Sequence, residues 1–474
     1  MISFFKIFDP FRIIPLLILF LALRLPMIIF GYPLLVPELN WMLVGEKMGE
    51  GLLYSNVWTT LEPLSAGVYY FLESVFNRSV LPYQIMALIL TFSQAMILNL
   101  ILHFHNSYSD RTYIPSLLYL LFSSLFFDFY TLSPVLMGVT FLLPALSLLI
   151  GQNKSKNLES IFYVGLLIGV ASLFYLPLAM FLVMVILSFV LIFSSSLRLY
   201  LILIMGFTLP FSFVLVYFLY QNGLQEFYSN FIYSFFTYPL HSHMSFKDFA
   251  IILIIPAILL IFSILFVFNT PKYVNNQYLI FRLMGLWLVA ASLSLFFSKH
   301  LYPHQFYVFV PALAYFGTHF FLLLKKKLLR EVFFLIGLAS IVLVSYGSVY
   351  KYFLKKHPMN LSDMIIPTPK KGEGEIENRK TMLLGEDISV LKNAKLATPY
   401  LDWELSRRHF ENLDNYYNIS KVFENIQKDK PEIIIDQKEL AEYLFYRIPS
   451  LKEDYVNVTK NKYVRKDLYK AEVE

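Results

Sequence analysis

The feature that most constrains this chain is a series of apolar runs, each near twenty residues long, that recurs from its start to about residue 353. A helix needs about 20 apolar residues to cross a hydrocarbon core roughly 30 Å thick, so each run is a candidate crossing. The candidates lie near 11–31, 83–104, 114–130, 132–150, 161–176, 178–195, 199–220, 249–269, 281–298, 305–324 and 331–353. The block 161–195 is too long for one untilted helix and is divided at Tyr175 and Pro177. With 57% hydrophobic and only 15% charged residues, the composition is that of a membrane protein rather than a soluble domain.

The net charge of +6 sits in short loops beside the apolar runs. Membrane topology explains that placement, and nucleic acid is not an expected partner. The absence of cysteine excludes disulfides, zinc–thiolate sites and thiol nucleophiles. Lys6 and Arg12 precede the first run and no small-residue cleavage site follows it, as in a retained signal anchor. A cytoplasmic N-terminus then puts Arg111, Lys154 with Lys156, Arg198, Lys272 with Arg282, and the block Lys325, Lys326, Lys327 and Arg330 on the inside. That agrees with the positive-inside bias for about eleven spans in the cytoplasmic (inner) membrane. It leaves a first outer loop at 32–82 and the C-terminal tail on the outer, periplasmic side.

Two domains follow from this hydropathy. Residues 1–353 form the transmembrane part; residues 354–474 form a linker, opening with "KKHPMNLSDMIIPTPKKGEGEIENRK", and a small soluble α/β domain. There "DKPEIIIDQ" predicts a buried strand and "QKELAEYLFYRI" an amphipathic helix ending at Pro449. No internal repeat is visible.

The first outer loop reads "PELNWMLVGEKMGEGLLY", with apolar residues spaced for a helix lying along the membrane surface. Glu38 opens that helix, where backbone N–H groups favour an anion; it is either a proton acceptor or metal ligand, or a simple helix-start charge. Glu46 and Glu50, with Lys47 between them, suit a solvated face. Glu62 precedes Pro63 in a turn. Asp128, in "SLFFDFYTLSP", is the sole acid of a long apolar region, and an intramembrane acid is a functional candidate by default. "SLFFSKHLYPHQFYVFVPALAYF" supplies Lys299, His300, Tyr302 and His304, which as a cation and hydrogen-bond donors suit a phosphate, or equally an interfacial aromatic belt. His241 and His243, in "YPLHSHMSF", are expected to be loop histidines rather than a metal pair. Neither a Walker A sequence nor a dinucleotide-binding glycine fingerprint is present.

The order of first span, Pro37-Glu38, surface helix, Gly49-x-Gly51-x-x-Tyr54, Trp58, Pro63 and next apolar helix resembles the opening of the GT-C integral-membrane glycosyltransferases, especially the protein mannosyltransferase and aminoarabinose transferase-like branch. The segment Lys299 to Leu313 is similar to a late element of that family that reads basic residue, Tyr-Pro-His, aromatic, Pro-Ala-Leu. The resemblance implies a sugar donor on a polyprenyl phosphate, an envelope glycan, lipid or protein acceptor, and inversion at the anomeric carbon. It implies Glu38 as base or metal-binding group, assisted by Asp128. Lys299, His300, Tyr302 and His304 would lie at the donor phosphate, with Trp58 and Glu62 lining the substrate site. No cofactor is implied with certainty, and a divalent metal stays open.

Where many members carry paired acids, this chain has Glu38 alone, and Trp58 leads into Thr59-Thr60-Leu61-Glu62-Pro63 without the family's Asp and Lys-Pro-Pro. Those departures motivate a second reading, a catalytically inactive GT-C-like scaffold subunit in an envelope complex. A transporter is the third, and it lacks matching interrupted helices in two halves.

Overall fold

The computed structural model describes residues 1–152, 157–192, 196–237, 241–268, 275–349, 361, 363–367, 377–459 and 461–473. Lys154, Lys156, Lys272, most of the expected linker and the far ends of the expected spans 178–195, 249–269 and 331–353 lie outside the described residues. The chain is a helical, multi-pass membrane protein. Among the described residues eight helices are long and apolar enough to cross a membrane: Pro10–Phe30, Val80–Phe104, Pro134–Gly151, Leu197–Tyr220, Phe246–Leu265, Asn275–Phe296, Pro303–Leu323 and Lys327–Gly347. Two shorter apolar helices, Leu158–Phe174 and Leu176–Leu191, fall where the long block divides at Tyr175.

The expected span at 114–130 takes another form. A helix covers only Ile114–Phe122, nine residues, and the chain then runs irregularly into a short 3₁₀ helix at Phe127–Tyr130. The described residues thus do not provide eleven full-length crossings. Ser123 and Ser124 both turn their hydroxyls back onto the Leu120 carbonyl, a bonding pattern that competes with continued helix. Every residue from Thr112 to Val139 is buried, which is the condition under which irregular backbone is tolerated at membrane depth.

The chain divides into two compact units. The first comprises Met1–Pro33, Ser79–Val214 and Leu240–Asp363. Small residues allow close helix approach within it: a Cβ at Gly165 would strike the Leu203 carbonyl and one at Gly206 the Phe162 carbonyl, so the helices Leu158–Phe174 and Leu197–Tyr220 meet backbone to backbone. Two short strands, β1 (His241–Ser242) and β2 (His300–Leu301), pair in parallel and set His241 opposite His300.

The second unit comprises Leu34–Arg78, Leu215–Pro239 and Met364–Glu474, so the first loop belongs with the tail. Its sheet has β3 (Lys380–Leu384), β4 (Lys395–Leu396), β5 (Ile433–Asp436), β6 (Tyr455–Thr459) and β7 (Lys462–Arg465) in the order β4-β3-β5-β7-β6. The strand in "KPEIIID" is β5, its four residues all buried, and the helix that follows it is Ala441–Arg447. Backbone bonds fasten the loop to the tail: Val36 N–H donates to the Met364 carbonyl at 2.8 Å, and Trp58 N–H to the Pro399 carbonyl at 2.7 Å. Lys47, almost fully buried, reaches Asp429 at 3.1 Å, the Ala397 carbonyl at 3.0 Å and Glu50 at 2.6 Å. Glu46 is held by Arg78, whose guanidinium also donates to the Leu391 and Lys392 carbonyls. Glu46 and Glu50 are thus ion-paired braces, where the sequence suggested a merely solvated face.

Candidate functional site

In the first unit, the irregular segment after Phe122 and the 3₁₀ helix Pro303–Phe309 bring Asp128 and His304 together. Both side chains are buried. The His304 backbone N–H donates to Asp128 Oδ2 at 2.7 Å, and His304 Nδ1 lies 3.0 Å from the same oxygen and 3.2 Å from Oδ1. An anionic partner at Nδ1 favours the tautomer with its proton there. In the neutral ring Nε2 then carries a lone pair; in the imidazolium it carries a proton.

A row of rings continues from this pair. Tyr302 stacks on His304, with centroids 5.6 Å apart, and more closely on His243 at 4.2 Å. His243 Nε2 is 3.2 Å from His300 Nδ1, and His241 stands edge-on to His243 with centroids 4.6 Å apart. The strand pair explains the grouping, since His241 N–H donates to the Lys299 carbonyl at 2.7 Å and His243 N–H to the Leu301 carbonyl at 3.3 Å. Gln305 Nε2 donates to the His300 carbonyl and fixes the loop from the other side. Burial lowers the basicity of the Lys299 ammonium, and burial with the neighbouring His300 and His241 pushes His243 down to about 3. His241 and His243, expected to be loop histidines rather than a metal pair, pack against this cluster through a strand pairing too short to read from sequence.

Of the other candidates, three lie in the second unit. Glu38 is fully buried at the third position of the helix Val36–Met48, and Glu38 Oε2 accepts from the Leu35 N–H at 3.1 Å. It caps its own helix. Glu62 is buried at the N-cap of the helix Pro63–Phe76. Nearby, burial and the charge of Glu62 hold the Tyr54 phenol well above its ordinary range, so it keeps its proton and donates a hydrogen bond to the Leu61 carbonyl at 2.7 Å. Trp58 packs in the hydrophobic core of the tail, edge-on to Tyr400 with centroids 4.9 Å apart. Among the described residues no three His, Asp or Glu side chains form a group that could hold a metal ion.

No protein-family model matches the chain, and no curated protein matches it by sequence. Solved structures do match. ArnT from Cupriavidus metallidurans bound to undecaprenyl phosphate aligns over 96% of this chain and 96% of that one, with a TM-score of 0.54 and 11% identity. The chain has a GT-C-like fold. Two further matches are looser. ArnT of the same organism in the apo state gives a TM-score of 0.47 at 14% identity, over 68% of this chain and 62% of that one, less than two thirds of its length. An oligosaccharyltransferase from Archaeoglobus fulgidus tethered to an acceptor peptide gives 0.47 at 11% identity, over 94% and 72%. At such identities the likeness is one of fold; the roles of residues in this GT-C-like chain rest on its own geometry.

Proposed function

We propose that the chain is a glycosyltransferase that moves a sugar from a polyprenyl-phosphate-linked donor to an acceptor of the cell envelope, at the outer face of the cytoplasmic membrane. The observation that carries this reading is the buried Asp128–His304 pair, continuous through Tyr302 with His243, His300 and the strand that follows Lys299. A fold shared with a protein bound to undecaprenyl phosphate supports the donor class.

The chemistry divides into two tasks. An acceptor hydroxyl or amine must lose its proton as its oxygen or nitrogen bonds the anomeric carbon, and Glu38 is the proposed base. The bond from that carbon to the phosphate oxygen breaks, its electron pair leaving with the polyprenyl phosphate. Lys299, His300 and His304 are the proposed groups that meet this developing charge, with Tyr302 as a further donor and Asp128 holding the His304 ring. Attack opposite the leaving group gives inversion.

The test is release of undecaprenyl phosphate from undecaprenyl-phosphate sugars by the full chain in proteoliposomes supplied with envelope acceptors. The wild type releases it from at least one donor, Glu38→Gln does not, and Asp128→Asn does so far more slowly. Release unchanged in both variants overturns the assignment. One observation favours the scaffold reading: Glu38 caps its own helix and Trp58 lies in a core, both of them structural positions. If Glu38→Gln leaves every donor untouched but the wild type is equally inert, that reading takes its place.

A further inference from the structure

Arg24 is fully buried in the first span, an expensive place for a cation. Its partners among the described residues are a carbonyl, a hydroxyl and two aromatic faces, with no carboxylate among them. Nη2 donates to the Ser123 carbonyl at 2.6 Å and Nε lies 3.5 Å from Ser124 Oγ. The guanidinium carbon sits 4.8 Å from the Phe20 ring centroid and 4.7 Å from that of Tyr130. Tyr130 is pinned in turn, its Oη 2.8 Å from Ser345 Oγ and 3.4 Å from the Ser124 carbonyl. Nη1 is buried without a hydrogen-bond partner.

These contacts fall at Ser123, Ser124 and Tyr130, the two ends of the irregular segment that carries Asp128. The α-helix has stopped there, and Asp128 stands in a single 3₁₀ turn with sparse backbone bonds such as Phe129 N–H to the Phe126 carbonyl at 3.1 Å. A planar guanidinium can bond a carbonyl with its edge while stacking a ring on its face; an ammonium cannot do both. From this geometry we infer that Arg24 is a positioning residue for the Asp128–His304 pair: it clamps both ends of the Ser123–Tyr130 segment and so sets the carboxylate against the imidazole. The inference rests on the proposed transferase reading for its kinetic consequence, but not for its structural one.

The test compares full-length wild type, Arg24→Lys and Arg24→Met in proteoliposomes, with two readouts. One is turnover measured as undecaprenyl phosphate release; the other is the ring ¹⁵N resonances of His304. Arg24→Lys is expected to lower turnover about 10- to 100-fold with the KM for donor changed far less, a loss of the size that removing an orienting partner causes at metal sites. The His304 resonances move toward a mixture of tautomers. Wild-type turnover and unchanged His304 resonances in both variants overturn the inference. Should Arg24→Met fail to fold, Arg24→Lys and Tyr130→Leu, which removes the other face of the clamp, decide it. Should the wild type transfer no sugar, the function proposed above fails, and the His304 resonances still decide the role of Arg24.

Discussion

His304 reaches Asp128 twice, through its backbone N–H at 2.7 Å and its ring Nδ1 at 3.0 Å, across 176 residues of sequence. The double contact fixes both where the imidazole is and which way it faces. Two residues that the sequence assigns to separate tasks therefore act as one group.

Replacing Asp128 by Asn keeps an acceptor for the backbone N–H but removes the charge that favours a proton on Nδ1. Turnover is expected to fall by roughly 100-fold, with the KM for donor changed far less. Steady-state rates in proteoliposomes check this; a rise in KM at constant kcat contradicts it.

Lys47 pairs with Asp429 at 3.1 Å inside the second unit, and its side chain is just 4% exposed. Lys47→Met leaves Asp429 and the Ala397 carbonyl without their donor. A loss of about 2 kcal/mol is expected, from charged hydrogen bonds worth ~1.5–3 kcal/mol each against the packing that Met retains. Thermal unfolding followed by hydrogen exchange in the tail measures it.

Asp402 caps the helix Trp403–Phe410, accepting from the Glu404 N–H at 2.9 Å, yet burial pushes its carboxyl up to about 6. A raised carboxyl holds its proton more tightly folded than unfolded, so the tail loses stability as pH rises from about 4 to 6. His409, pushed down to about 4 by burial and Arg408, works in the opposite sense across that window. Asp402→Asn keeps a capping oxygen and removes the charge. It is expected to stabilise the tail by on the order of 2 kcal/mol at pH 7 and not at pH 4, so the wild-type-minus-variant difference isolates this group. A difference that does not vary with pH contradicts the account.

Most of the architecture was legible because a bilayer enforces it. Runs such as 83–104 and 199–220 have few alternatives to a crossing helix, and "EIIID" between polar flanks reads as a buried strand. The break after Phe122 was not legible: Ser123 and Ser124 are ordinary in membrane helices, and their back-bonding shows only once the neighbours that bury the segment are in place. Asp128 and His304 could each be picked out as a polar residue in apolar surroundings, but nothing in their sequence spacing pairs them. The packing of His241 and His243 against His300 is hidden for a similar reason, since a two-residue strand leaves no periodic signal. Trp58 is expected at the substrate site only from the resemblance, and its burial against Tyr400 depends on a tail that lies more than 300 residues away in the chain.

The central claim is that the Lys299–His300–His304 cluster recognises the phosphate of a polyprenyl lipid. Its most direct test is native mass spectrometry of the purified full chain with undecaprenyl phosphate and, in parallel, uncharged undecaprenol. The account predicts selective retention of the phosphate lipid, with at least about tenfold weaker retention in Lys299→Met and His300→Ala. Equal retention of both lipids, or wild-type retention of undecaprenyl phosphate in both variants, would contradict it.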